Sequence, residues 1–266
     1  MRKWLYILLA CLPMLACVGQ KDDPFEDPDP DPVPVDPGGA DEGKDFFRRS
    51  LVLDFTGTWC VNCPKMDAAI RETMEARPGR VVPVSVHCMS LDPMYVKPLS
   101  DDLVKKFGVT AYPSAIVDMD PESLITQSSS ELLQGHIDRL LTDRTLSAGV
   151  KVETTLEGGN YTLKAEMKAV RDGDYTLAIL LLEDGIVATQ TGGSPDQVHN
   201  NVLRSWTEGN VHAGLKEGDT AELELTGAAT DKHRFAVLVL RNGLVDNVVT
   251  CAAGASAGYE YEEVTN

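Results

Sequence analysis

Between residues 44 and 148 the apolar positions follow two alternating periods. Residues 51–55 and 81–86 are short, largely apolar runs suited to buried parallel strands. Met66, Ala69, Ile70 and Met74 recur at helical spacing. Leu103, Val104 and Phe107 mark a short second helix, and Leu133, Ile137, Leu140 and Leu141 a third. Residues 114–117 and Leu124-Ile125 predict a closing hairpin around Asp120-Pro121. This order of strands and helices predicts an α/β layer structure. From Gly149 onward strict alternation takes over, as in Val150, Val152 and Thr154, then Tyr161, Leu163, Ala165 and Met167, then Tyr175, Leu177, Ile179 and Leu181. Ala221, Leu223 and Leu225 repeat it, followed by Phe235, Val237 and Val239 and by residues 245–249. Gly158-Gly159-Asn160, Asp172-Gly173-Asp174 and Arg241-Asn242-Gly243 supply turns between them. Six or more short strands without a helix predict an all-β antiparallel sandwich.

The start of the chain reads differently. Arg2 and Lys3 precede an apolar stretch from Trp4 to Ala16, the layout of a secretion signal rather than a spanning helix. Met14-Leu15-Ala16-Cys17 resembles the lipobox of bacterial lipoproteins, which makes Cys17 the lipidated first residue after cleavage. Leu8-Leu9-Ala10-Cys11 also fits, though with a short apolar region, and a soluble secreted protein cleaved nearby is the plainer alternative. Gln20-Lys21-Asp22-Asp23 resembles a signal that sends lipoproteins to the cell surface. Residues 22–43 hold nine acids and no base, with Pro24, Pro28, Pro30, Pro32, Pro34 and Pro37 among them. Repelling carboxylates and prolines without amide donors favour an extended, solvated spacer. The expected organisation is a signal peptide over 1–16, a lipidated acidic tether over 17–43, and two folded units over 44–148 and 149–266.

Composition narrows the function. With 43% hydrophobic residues the 266-residue chain has material for a core. The absence of a second long apolar stretch excludes a multi-span transporter. A formal charge of −17, from 24 basic and 41 acidic residues, opposes nucleic-acid binding. Six cysteines are too few for a disulfide scaffold, so their positions carry the information.

Trp59-Cys60-Val61-Asn62-Cys63 stands between the first predicted strand and the first predicted helix. A bare CxxC can be half a zinc site, but His87, Cys88 and Cys251 form no second spaced pair, so neither metal nor cofactor is expected. The strand, CxxC and helix together resemble thioredoxin, as do Asp54 six residues before Cys60 and the segment from Phe107 to Ser114. The resemblance implies a cis bond between Tyr112 and Pro113, placing Pro113 beside the cysteine pair. It also implies a nucleophilic Cys60, a resolving Cys63, and Asp54 as the acid that receives the Cys63 proton, with Trp59 and Tyr112 flanking. A helix N-terminus favours a thiolate, and access and thiolate character set exchange rates. Three departures bear on the redox potential: Val61-Asn62 replaces Gly-Pro, Pro64 follows Cys63, and no lysine lies between Arg80 and Lys97. The plainer alternative is a Cys60–Cys63 bond that staples a turn. Cys88 reads as a buried thiol, with a bond to Cys251 or a third redox role as alternatives.

His199, Asn200 and Arg204 form a candidate polar cluster, expected to be structural rather than catalytic, and His136 reads as a packed histidine. GxSxG, HExxH and phosphate-loop patterns are absent. Lipobox, acidic tether, Cys60-Val61-Asn62-Cys63-Pro64 and the segment at His199 together resemble the Omp-twenty-eight-related outer membrane lipoproteins. That resemblance implies an α/β thioredoxin-like domain followed by an all-β antiparallel, immunoglobulin-like sandwich. It also implies attachment to the outer membrane through the lipid at Cys17, exposed at the cell surface, and supplies no substrate. Two functions follow: thiol–disulfide exchange with a protein partner, or non-enzymatic binding at the surface with the CxxC as a structural disulfide.

Overall fold

The computed structural model describes residues 45–262. The signal segment, Cys17 and the tether lie outside them. In chain order the elements are β1 (Ser50–Thr56), α1 (Cys63–Ala76), β2 (Val81–His87), α2 (Leu99–Phe107), β3 (Ser114–Val117) and α3 (Ser130–Asp143). Strands follow almost without interruption: β4 (Ala148–Glu157), β5 (Asn160–Ala169), β6 (Gly173–Glu183), β7 (Ile186–Ala188), β8 (Gln197–His199) and β9 (Val202–Glu208). The last are β10 (His212–Leu215), β11 (Thr220–Ala228), β12 (His233–Arg241), β13 (Leu244–Ala252) and β14 (Ser256–Ala257). The hydrophobic periods thus locate the principal helices and strands. The hairpin expected around Asp120-Pro121 is an Ala115–Ile125 bridge, with residues 121–123 coiled as one short 3₁₀ turn.

The arrangement of these elements corrects the expected fold. An α/β thioredoxin-like domain followed by an immunoglobulin-like sandwich requires one sheet confined to the first half of the chain and two packed sheets confined to the second. Instead the described residues are mostly β, with 45% strand against 18% helix. One eight-stranded sheet runs in the order β13-β12-β6-β9-β2-β1-β3, with β10 paired to β6 outside this path. The crossing point is β2 against β9, a parallel pairing at Ser85 and Val202. The remaining sheets are β11-β5-β4-β14 and the small hairpin β7-β8.

The physical reason lies in β6 and β12. A sandwich strand keeps one face for solvent, but these strands bury both. Ala178, Leu180 and Leu182, with Ala236, Leu238 and Leu240, share a core with Leu51, Leu53, Phe55, Val82, Val84 and Val86 of β1 and β2. Their alternate residues Leu177 and Ile179, with Phe235, Val237 and Val239, pack against Val152, Leu163 and Ala165 of the second sheet. β13 belongs to the first core too, through Val245 and Val248. On the other face of β1 and β3, α1 and α3 cover Val52, Ala115 and Val117 with Met66, Ile70, Leu133 and Ile137.

Buried polar groups tie the segment before β1 into this frame. Arg48 donates to the carbonyls of Leu140 and Arg144 and faces Asp118 at 3.6 Å. Asp118 in turn accepts the Leu51 amide at 2.8 Å. Asn247 of β13 accepts the Arg49 amide and donates to the Phe47 carbonyl. At the far end, Phe46 bridges Tyr261, with Phe47 N–H donating to Glu260 and Glu262 N–H to Asp45.

Candidate functional site

Cys60 and Cys63 form a disulfide in the turn that leads from β1 into α1. The turn is built locally: the Cys60 amide donates to Gly57 at 3.0 Å and the Lys65 amide to Asn62 at 3.0 Å. The helix begins at Cys63, so Cys60 lies in the turn before it rather than on its first residue. Pro64 suits the first turn of the helix, where its missing N–H leaves no bond unmade. Both cysteines are buried, Cys60 at 5% and Cys63 at 0% exposure, while Val61 between them is 59% exposed.

One helical turn after Cys63 stands a carboxyl couple. Asp67 is one helical turn after Cys63 on α1, and it faces Asp54 of β1. Asp54 is 1% exposed, and neither of its oxygens receives a donor from an amide, a hydroxyl or a base. Burial, with the Asp67 charge adding to it, holds the Asp54 pKa well above the usual carboxylate range. Asp67 itself is half-buried. A polar cavity of about 70 Å³ adjoins them, lined also by Thr56, Ser85, His87 and His199. The His87 and His199 rings meet edge to face at 5.4 Å. Burial and the neighbouring His87 push the His199 pKa down to about 4.

The rim is braced by Asp92, which the sequence did not single out. Its carboxylate accepts the Thr58 amide at 2.7 Å, the Met94 amide at 2.8 Å and the His87 ring at 3.0 Å. Burial alone would raise its pKa, but His87 and these amides hold it below the usual range. Trp59 donates its indole N–H to the Cys88 carbonyl at 2.9 Å and stands edge-on to Tyr112 at 5.3 Å. The Tyr112–Pro113 bond is cis and Pro113 is buried. Cys88 and Cys251 are both free and buried, 88 with its thiol pushed up to about 12 by burial. They are not bonded to each other.

The structure therefore places Trp59, Cys60 and Cys63 in one turn, links Tyr112 to it through Trp59, and sets Asp54 against Asp67 one helical turn after Cys63. It does not gather His199, Asn200 and Arg204. His199 points to His87, Asn200 accepts the Gly185 amide, and Arg204 pairs with Glu183 at 3.3 Å. His136 is a partly exposed helix residue whose pKa burial lowers. Among the described residues no three His, Cys, Asp or Glu side chains converge to hold a metal ion, and no helix is long and apolar enough to cross a membrane. Asp67 was within reach of sequence reasoning, since four residues after Cys63 is the same helix face. Gln190 was not: it donates to the Cys60 carbonyl at 3.0 Å from a hairpin 130 residues away.

No family model matches the chain, and neither does any curated protein. Among solved structures, HBP35 of Porphyromonas gingivalis superimposes with a TM-score of 0.67 at 15% identity, over 84% of this chain and 81% of that one. Protein AGR_C_4864 from Agrobacterium tumefaciens gives 0.58 at 14% identity, over 80% of this chain and 97% of that one. The likeness is one of fold. It spans most of both chains in each case.

Proposed function

We propose that the chain is an outer-membrane lipoprotein of the Omp-twenty-eight-related kind, anchored through Cys17, whose Cys60–Cys63 pair exchanges disulfides with a protein partner. The observation that carries the exchange reading is the stack of Cys63, Asp67 and Asp54. A cysteine that must lose its proton stands one helical turn before Asp67, which faces the buried Asp54 whose pKa is raised. In the reduced protein the Cys60 thiolate attacks a partner disulfide, forming a mixed disulfide and releasing one partner thiolate. Cys63 then passes its proton to the carboxyl couple and attacks the Cys60 sulfur, releasing the second partner thiolate. The pair loses two electrons and the partner gains them; the reverse sequence oxidises the partner.

A second reading has its own support. Both cysteines are buried, which suits a bond that staples the turn of a non-enzymatic surface binding protein. Trapping separates the two. Under exchange, Cys63→Ala accumulates a mixed disulfide through Cys60 and Cys60→Ala accumulates none. A staple gives no mixed disulfide in either variant, and a pair that no reductant opens below the unfolding transition sinks the exchange reading. The anchor is tested by Cys17→Ala, which should move the protein from the membrane to the soluble fraction; continued sedimentation with membranes would contradict it.

A further inference from the structure

The loop over residues 189–196, which joins β7 to β8, lies on the disulfide turn. Gln190 is 5% exposed, and its side-chain amide donates to the carbonyls of Cys60 at 3.0 Å and Gly57 at 3.2 Å. The Thr191 amide donates to the Thr58 carbonyl at 2.8 Å. Gly192, at φ +79°, comes so close that an added Cβ would stand 2.4 Å from the Val61 carbonyl oxygen. The loop is braced within itself, by the Gln190 amide to Ser194 at 2.9 Å and the Thr189 hydroxyl to Pro195 at 2.9 Å. It therefore meets the turn as a preformed piece.

The geometry points to this loop as a clasp that gates the disulfide by occupying the place of a partner's backbone. A sulfur nucleophile must reach Cys60 or Cys63 in line with the S–S bond, and both residues are buried. Of the pieces that enclose the turn, β1 and α1 are fixed in large cores. The clasp belongs to a two-stranded sheet apart from the two larger ones, so it can lift without breaking a core strand. All three groups that it satisfies on the turn, Gly57, Thr58 and Cys60, are carbonyl acceptors. Their replacement partner must offer N–H donors, which an extended polypeptide does along its backbone. The inference rests on the exchange reading for its biological meaning, while the gating itself is measured without a protein partner.

Gly192→Ala forces the loop away from Val61, and Gln190→Ala removes two of the contacts. Each should speed reduction of the full-length oxidised protein by tris(2-carboxyethyl)phosphine at least about tenfold. In that step the phosphine attacks one sulfur, is converted by water to its oxide and leaves two thiols. Gly185→Ala is the control: it is also at positive φ and immediately precedes the same hairpin, but nothing lies within 4 Å of its added Cβ. It should leave the rate unchanged. Unchanged rates in Gly192→Ala and Gln190→Ala, or equal acceleration by Gly185→Ala, would overturn the clasp. The reduced wild type should react faster with an extended disulfide-linked peptide than with oxidised glutathione, and equal rates would overturn backbone replacement. If the clasp variants reduce faster yet no form reacts with any protein disulfide, the gate stands and the exchange reading falls. If wild type exchanges and the variants match it in every rate, the reverse holds.

Discussion

Single side chains set how the molecule responds to pH. His199 stays neutral in the fold down to about 4, whereas an unfolded chain takes up its proton near 6.5. Between those values the unfolded state binds more protons, so this residue's stabilisation is fully present above 6.5 and is lost as pH falls towards 4. His199→Gln should therefore flatten the decline in urea midpoint between pH 7 and pH 4.5; a slope identical to wild type would show that His199 does not titrate differently on folding. Asp118 acts with the opposite sign. Burial raises its pKa to about 6, against the opposing pull of Arg48 and the Leu51 amide. The folded state holds a proton that the unfolded state releases between 3.8 and 6, so this group's contribution falls as pH rises through that interval. Only comparison of each variant with wild type separates the two. At this scale the sequence displayed Cys60, Cys63 and Asp54 through their spacing. Gln190 and the His87–His199 contact were hidden because each depends on segments far apart in the chain meeting in space, and Asp92 because its bond to the Thr58 amide spans 34 residues.

Elements were legible where one hydrophobic period dominated. Met66, Ile70 and Met74 revealed α1, and Tyr161, Leu163 and Ala165 revealed β5, because each has one apolar face. β6 and β12 were read from one face as well, through Leu177 and Ile179 and through Val237 and Val239. Their other face, Ala178, Leu180 and Leu182 with Ala236 and Leu238, is equally apolar. That doubled run is the local sign of a strand between two cores, and it is what a two-sheet sandwich in the second half cannot accommodate. The consequence is measurable. Leu180→Ala, on the face that a free-standing sandwich would give to solvent, should cost about 2–5 kcal/mol by denaturant unfolding because it opens a cavity in the first core. A cost below about 0.5 kcal/mol would place Leu180 in a solvated position.

The whole molecule depends on the pairing of β2 with β9 and on a core shared by both halves. A chain cut to residues 45–147 keeps β2 paired with β1 but leaves its other edge without β9. It also exposes Leu51, Leu53, Val84 and Val86 where Leu180, Leu182 and Leu238 should cover them. Such a fragment should show no cooperative thermal transition and no dispersed amide spectrum, whereas residues 45–262 should unfold in one step followed identically by tryptophan fluorescence and far-ultraviolet circular dichroism. A fragment that melts cooperatively would show that the first half carries a sufficient core alone. The topology itself was beyond the sequence pattern: alternation assigns a residue to a face, but only the distant match of Ser85 with Val202 decides that two strand groups become one sheet.

The bridge between Phe46 and Tyr261 has a mechanical meaning. Asp45 and Glu262 stand side by side, joined by the Glu262 amide at 2.7 Å, with the Phe46 and Tyr261 rings stacked at 4.9 Å and Arg80 clamping Glu262 at 2.6 Å. A chain held from its N-terminal side and dragged by flow or by a bound partner would load this junction before any strand of the large sheet. The bonds of residues 45–47 to 260–262 would yield in turn, while Asn247 and Asp118 still hold Arg49 and Leu51 in place. The junction is then a sacrificial seam: under tension it gives way first and spares the disulfide turn at the far end of β1.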